Sequence, residues 1–422
     1  MLEFMNQITD RPSWLVEVFD RSIMGKWVEE TVRWDESLPE KGDYWLSKNM
    51  FRNCMEELRE KAKMITIHKV GFVSVLDCEV NVVKSDWAVS DDLRERLIKA
   101  VKPFEDVPES AKDWCPGSDN KVLNLVDPSL FPISYGYSRA LPHGTVPLET
   151  CTSYIGKGDE IPKNESDPQR VEAFRTGTAY PWGFFQWLPS NIRFLKDGTP
   201  KIDSYINNLH PQHAELYQVL EKLIQIAIPL WNESISWIRS RNRIHIRGFS
   251  SLDYYYPDSI EFPREQYQPD PVKKSKSLDE WHYDFRFMDP DRDWAAENGL
   301  VSEWEAWHDE HKILLQHEPT FTPRSEFENR PEARPIDLQK DFHESGIQVI
   351  IKLVNIELTP EKPTYDGESW HFEGSLNEHI CSTALYYYDS ENVTDSHVSF
   401  RQRRDGEMFG IRQEKLNSHN VY

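Results

Sequence analysis

The sequence predicts an α+β fold, with a helical and mixed N-terminal half and a β-rich core beginning near residue 346. Three observations carry this. Apolar residues recur at helical spacing in three segments before residue 236. "GIQVIIKLVNIEL" (Gly346–Leu358) is a long β-branched run. After it, "SWHFEG", "HICSTALYYYD" and "SHVSFRQR" alternate with short loops, as strands of a sandwich or barrel do.

The elements follow in order. "SKNMFRNCMEELREKAKMI" spaces Met50, Cys54, Leu58 and Ala62 along one helix face, with Ser47 placed to cap it. "ITIHKVGFVSVLDCEVNVV" reads as two strands around Gly71 or Asp77. "SDDLRERLIKAV" is a helix capped by Ser90, with Pro103 just past its end. Loop-like sequence then leads to "FFQWLPSNIRF" and to the longest helix, starting near Pro211. That helix carries Leu216, Leu220, Leu223, Ile224 and Ala227 on one face, and Pro229 is expected to kink or end it. From about Ser250 to Asp337 the chain is rich in proline and charge and reads as excursions or a linker rather than core.

Composition narrows the function classes. A net charge of -22 argues against a phosphate-binding surface, so no nucleic acid is expected as a partner. The 15 Trp and 17 Tyr supply ample core material and could equally line a pocket for a flat or apolar small molecule. Five scattered cysteines without a C-x-x-C pair suit reduced thiols. The N-terminus lacks a basic and then apolar leader, and "LIQIAIPLW" is far short of the ~20 residues that span a bilayer. An intracellular protein, cytoplasmic or nuclear and off the membrane, is expected. The sequons at Asn164, Asn232 and Asn392 then mean little.

Four constellations could carry chemistry. His371-Phe-Glu373 is the first: in a strand, residues i and i+2 share a face, so both side chains could reach one ion. An imidazole with a carboxylate begins the 2-His-1-carboxylate triad of non-heme Fe(II) oxygenases, and a solvated polar pair at a strand entry has the same spacing. His282-Tyr-Asp284 repeats the form within an exposed, charged stretch. His308 and His311 stand at i, i+3, a spacing that a solvated helix face explains better than a zinc site with i, i+4 histidines. Lys352, inside an apolar strand, could anchor a carboxylate or reach to water. There is no phosphate-binding Gly-rich loop and no G-x-S-x-G elbow.

The blocks "MNQITDRPSW", "ELREKAK", "KDWCPGSDNKVLNLVDPSLFP", "YGYSRALP", "FQWLPSNIRF", "SYINNLHPQHAELY" and "GIQVIIKLVNIELTPEKPTYDGESWHFEGSLNEHICSTALYYYDSENVTDSHVSFRQ" recur in the order of a mainly fungal family. The chain resembles that family, domain of unknown function 4246, from near Met1 to about Gln402. The resemblance implies an N-terminal helical segment over residues 1–45 and a main domain over 46–422. It also implies an incomplete, jelly-roll-like double-stranded β-helix as the C-terminal core. The Trp370, His371, Glu373, Gly374 block is similar to the H-x-D/E element of Fe(II)/2-oxoglutarate oxygenases, which makes His371 and Glu373 the expected metal ligands and Fe(II) and 2-oxoglutarate the implied cofactors. Family blocks that would bring a distal His and a basic residue are not matched after Gln402, and His379, His397 and His419 do not take the distal position. A truncated chain is therefore expected, from a misassigned splice site or a shortened paralogue. Two functions follow: an oxygenase-like enzyme acting weakly or not at all on an unknown small molecule, or a non-catalytic pseudoenzyme or interaction protein.

Overall fold

The computed structural model describes residues 1–32, 46–67, 71–75, 82–162, 185–236, 254–255, 261–269, 290–311, 313–314, 321, 323, 336–368, 370–371, 373–374 and 378–400. Helices and strands both contribute, as an α+β chain requires.

The N-terminal helices Leu2–Thr9, Trp14–Glu17 and Arg21–Thr31 share one apolar cluster with the long helix Lys48–Ile67. Phe4, Trp14 and Trp27 pack with Cys54, Leu58 and Ala62, the face that the spacing marks out. Ser47 caps this helix, its Oγ accepting from the Met50 amide at 3.0 Å. Asp20 caps Arg21–Thr31 through the amides of Ser22 and Ile23. Strands Val73–Val75 and Val82–Lys84 pair antiparallel; the turn around Asp77 that would join them lies outside the described residues.

The main core lies between two helices and two small sheets. Helix Asp91–Glu105 is capped by Ser90, and it extends two residues beyond Pro103 rather than stopping before it. Proline in a last turn removes only one backbone bond, and the Asp106 amide still closes the end on the Lys102 carbonyl. The longest helix among the described residues spans Ala214–Ile235 and continues past Pro229 rather than ending there. Pro229 lies on the exposed side of the helix, while Leu216, Leu220, Ile224 and Ile228 stay buried.

The run from Gly346 to Leu358 does not form one strand. Ile347–Val349 joins a sheet ordered 200–202, 190–194, 347–349, with Ile347 opposite Ile192. Leu353–Ile356 joins a second sheet ordered 353–356, 122–126, 113–114, with Ile356 opposite Val122 and a bulge between Leu353 and Val354. The intervening residues cross between the sheets, which leaves Lys352 exposed at the crossing. Gly346 opens the run at φ +71, and a Cβ there would collide with the Ile192 carbonyl.

Two expectations need correction. Residues Ile380–Asp389 and the stretch after Ser396 are not strands: among the described residues from 378 to 400 none belongs to a ladder, and the double-stranded β-helix is not formed by them. The β-prone residues there are anchored through side-chain hydrogen bonds instead. Second, the Pro-rich excursion contains core. Helices Pro290–Asn298 and Val301–His311 enclose a small cluster of Phe262, Ala295, Leu300 and Trp304, with Phe262 stacked on Tyr267 at 4.9 Å.

Candidate metal-binding turn

Of the segment that carries His371 and Glu373, the described residues 370, 371, 373 and 374 carry no strand, and 370, 373 and 374 are bends; the described part is called the turn below. The turn nevertheless brings the two side chains together. His371 Nε2 lies 3.4 Å from Glu373 Oε1 and 3.7 Å from Glu368 Oε2, so the imidazole stands between two carboxylates. All three side chains are open to solvent, at 46% for His371, 37% for Glu373 and 48% for Glu368. Trp370 beside them is exposed as well. Upstream, partial burial raises the Tyr365 phenol above its ordinary range, helped by the nearby Glu368 carboxylate and the Cys115 thiol.

Downstream, Gly374 leaves the turn at φ +75. Four residues further on, Glu378 Oε1 accepts the Trp187 amide at 2.9 Å. Trp187 follows the short strand Phe185–Gln186, which pairs with Ile133–Ser134, and Gln186 accepts the Tyr135 hydroxyl at 2.5 Å.

From Ile380 the chain runs across the core as a strap. Ser382 and Ser234 share a hydrogen bond of 2.8 Å. Arg94 Nε donates to the Tyr388 carbonyl at 2.6 Å, and its Nη2 meets Asp389 Oδ1 at 3.2 Å. The Tyr388 ring packs against the main core while its hydroxyl donates to Asn355 Oδ1 at 2.6 Å, and Asn355 Nδ2 donates to Glu105 Oε1 at 2.8 Å. Burial, then the negative charges of Glu105 and Asp389, push the Tyr388 phenol up to about 12.

Other sequence candidates fare differently. His282 and Asp284 lie outside the described residues, as do His419 and the side chain of His308. His311 stacks on Trp307 at 4.5 Å, with Nδ1 2.7 Å from the Trp307 carbonyl, the arrangement of a packed helix-end histidine. His379 and His397 are exposed. Among the described residues, no group of three or more His, Cys, Asp or Glu is arranged to hold a metal ion. Cys115, Cys151 and Cys381 are free thiols, and the buried Cys54 Sγ lies 3.9 Å from the Met1 carbonyl. Spacing did not point to Glu368, Glu378, Arg94 or Tyr388. Only Glu368, three residues before His371, stood where local geometry could have suggested it.

The fold and the turn define an α+β chain with an exposed imidazole–carboxylate pair held on a side-chain-anchored strap. The chain belongs to the family described as Protein of unknown function (DUF4246), whose model matches residues 48–421. The companion N-terminal model, Domain of unknown function DUF4246, N-terminal, matches residues 1–30. The match runs through residue 421, beyond the Gln402 at which the resemblance was expected to stop. No curated protein and no solved structure matches the chain. Among the described residues, no helix is long and apolar enough to cross a membrane.

Proposed function

We propose that this chain is an oxygenase-like protein whose His371 and Glu373 take a divalent iron ion, with 2-oxoglutarate as cosubstrate and a small molecule as substrate. The observation that carries it is the 3.4 Å approach of His371 Nε2 to Glu373 Oε1 in the H-x-E turn. Adjacent donors around an ion with bonds of about 2.1 Å stand about 3 Å apart, so a small closure of the pair would fill two neighbouring positions. The donor set, one neutral imidazole and one carboxylate, suits Fe(II). Bound iron would supply the oxidising chemistry; the chain's own residues would orient it and leave the remaining positions to water or cosubstrate. Two of the chain's side chains would hold the ion, and a third ligand is not found among the described residues.

The openness of the pair bears on rate. Efficient oxygen chemistry needs a dry cavity, and side chains exposed at 46% and 37% do not provide one, so turnover is expected to be weak. The test is anaerobic addition of Fe(II) and 2-oxoglutarate. Support is a visible charge-transfer band that is absent in His371→Ala; equal spectra for both proteins would remove the reading.

A second reading, a non-catalytic interaction protein, is favoured by one feature. Val354, Ile356, Leu385, Tyr387 and Phe400 are exposed along the outer sheet edge and the strap, with Tyr387 at 70%. That reading expects a concentration-dependent change in hydrodynamic size that His371→Ala leaves intact.

A further inference from the structure

We propose that Glu378 is a positioning residue, which holds the His371–Glu373 turn in place by gripping the backbone amide of Trp187. The inference rests on the metal reading above for its functional meaning, but its structural basis is independent of any ion.

Glu378 lies five residues after Glu373 in sequence and 191 residues from its partner amide. A carboxylate accepting a backbone N–H makes a charge-assisted bond, about twice as strong as a neutral one. Here it is 2.9 Å long and is a long-range bond that fixes the chain just after the turn. The receiving strand is itself anchored, since Phe185–Gln186 pairs with Ile133–Ser134 and Gln186 holds Tyr135. The turn is thus fastened at one end to a paired strand.

Gly374 makes the grip possible. It sits at φ +75, a conformation that side chains rarely adopt, and the Glu378 carboxylate lies where its Cβ would be. The same Cβ would stand 2.8 Å from Ile380 Cδ1. Any side chain at 374 would therefore strain the turn and displace the carboxylate that grips Trp187. Glycine in the W-H-x-E-G block then has a physical role: it lets the carboxylate close over the turn. The strap beyond is held separately, by the Ser382–Ser234 bond and by Arg94 on the Tyr388 carbonyl.

Residues that orient metal ligands from outside the ligand set change metal affinity by roughly 10- to 100-fold when removed. Glu378→Ala should therefore weaken Co(II) binding about tenfold, with a changed visible d–d spectrum. Glu378→Gln retains an acceptor oxygen for the Trp187 amide and should rescue both affinity and spectrum. Gly374→Ala should reproduce the alanine phenotype with Glu378 in place. A second readout needs no metal: hydrogen exchange of the Trp187 amide, which should speed about tenfold in Glu378→Ala and Gly374→Ala but not in Glu378→Gln. If the wild type binds no more Co(II) than His371→Ala, the metal reading fails and the exchange data decide the grip by themselves. Trp187 exchange and Co(II) affinity both unchanged in Glu378→Ala would overturn the proposal.

Discussion

Tyr388→Phe isolates the bond that docks the strap onto the core. The substitution keeps the ring packed against the helices and deletes only the hydroxyl that donates to Asn355 Oδ1 at 2.6 Å. Losing one hydrogen bond within a partly buried network costs about 1 kcal/mol, because Asn355 keeps its bond to Glu105. The phenol also links docking to pH. It is held neutral up to about 12 from an ordinary 10.0, first by burial and then by Glu105 and Asp389. A folded pKa raised above the unfolded one gives stability that is complete below about 10 and is lost as pH rises through about 12. The full shift corresponds to at most about 3 kcal/mol, and part exposure of the residue reduces it. Tyr217, pushed to about 12 by burial in the main core, contributes equally in both proteins and cancels in the comparison. The assay is urea unfolding of wild type and variant at pH 8, with an alkaline titration followed at 295 nm. The variant should be less stable by about 1 kcal/mol and should lack one of the late-titrating tyrosines. Equal stability, together with an unchanged late class, would refute the docking argument.

Two further outcomes follow from the geometry. Asn207 is buried, and its amide nitrogen donates to the carbonyls of Pro128 at 2.9 Å and Phe131 at 3.0 Å. Asn207→Ala should cost about 1–3 kcal/mol in urea unfolding, while a substitution at exposed Glu391 should change nothing measurable. His213, packed against Phe104 at 4.6 Å, is held below 6.5 by burial and by neighbouring His210. A lowered histidine value means that the unfolded chain binds the extra proton, so stability is lost as pH falls below 6.5. His213→Asn should flatten that acid limb, read as the unfolding midpoint between pH 7 and pH 5.

Much of the main core was legible because it follows simple periodicities. The buried faces of Lys48–Ile67 and Ala214–Ile235, and the caps Ser47 and Ser90, are local properties of the chain. Neither proline ends its helix. Pro229 is an exposed residue and Pro103 occupies a last turn, and tertiary packing against the rest of the core overrides local breaking tendency in both cases. The run from Gly346 to Leu358 looked like one strand because β-branching does not reveal which sheet a residue joins; pairing with Ile192 and with Val122 splits it. Tyr386, Tyr387 and Tyr388 favour strands by type, yet the backbone there has no ladder partner and Arg94, Ser234 and Asn355 hold the segment instead. The cluster at Phe262 was hidden because its apolar residues come from two distant, highly charged stretches. At the candidate site, H-x-E spacing anticipated that His371 and Glu373 lie close, but no strand places them side by side: the two approach to 3.4 Å at residues that carry no strand.

The central claim is that His371 and Glu373 act as one metal-binding pair. Anaerobic equilibrium dialysis of Fe(II) against wild type, His371→Ala and Glu373→Gln measures it directly. The account predicts about one ion per wild-type chain and at least tenfold weaker binding in each variant, with far-UV circular dichroism unchanged. Iron retained equally by all three proteins, or by none, contradicts it.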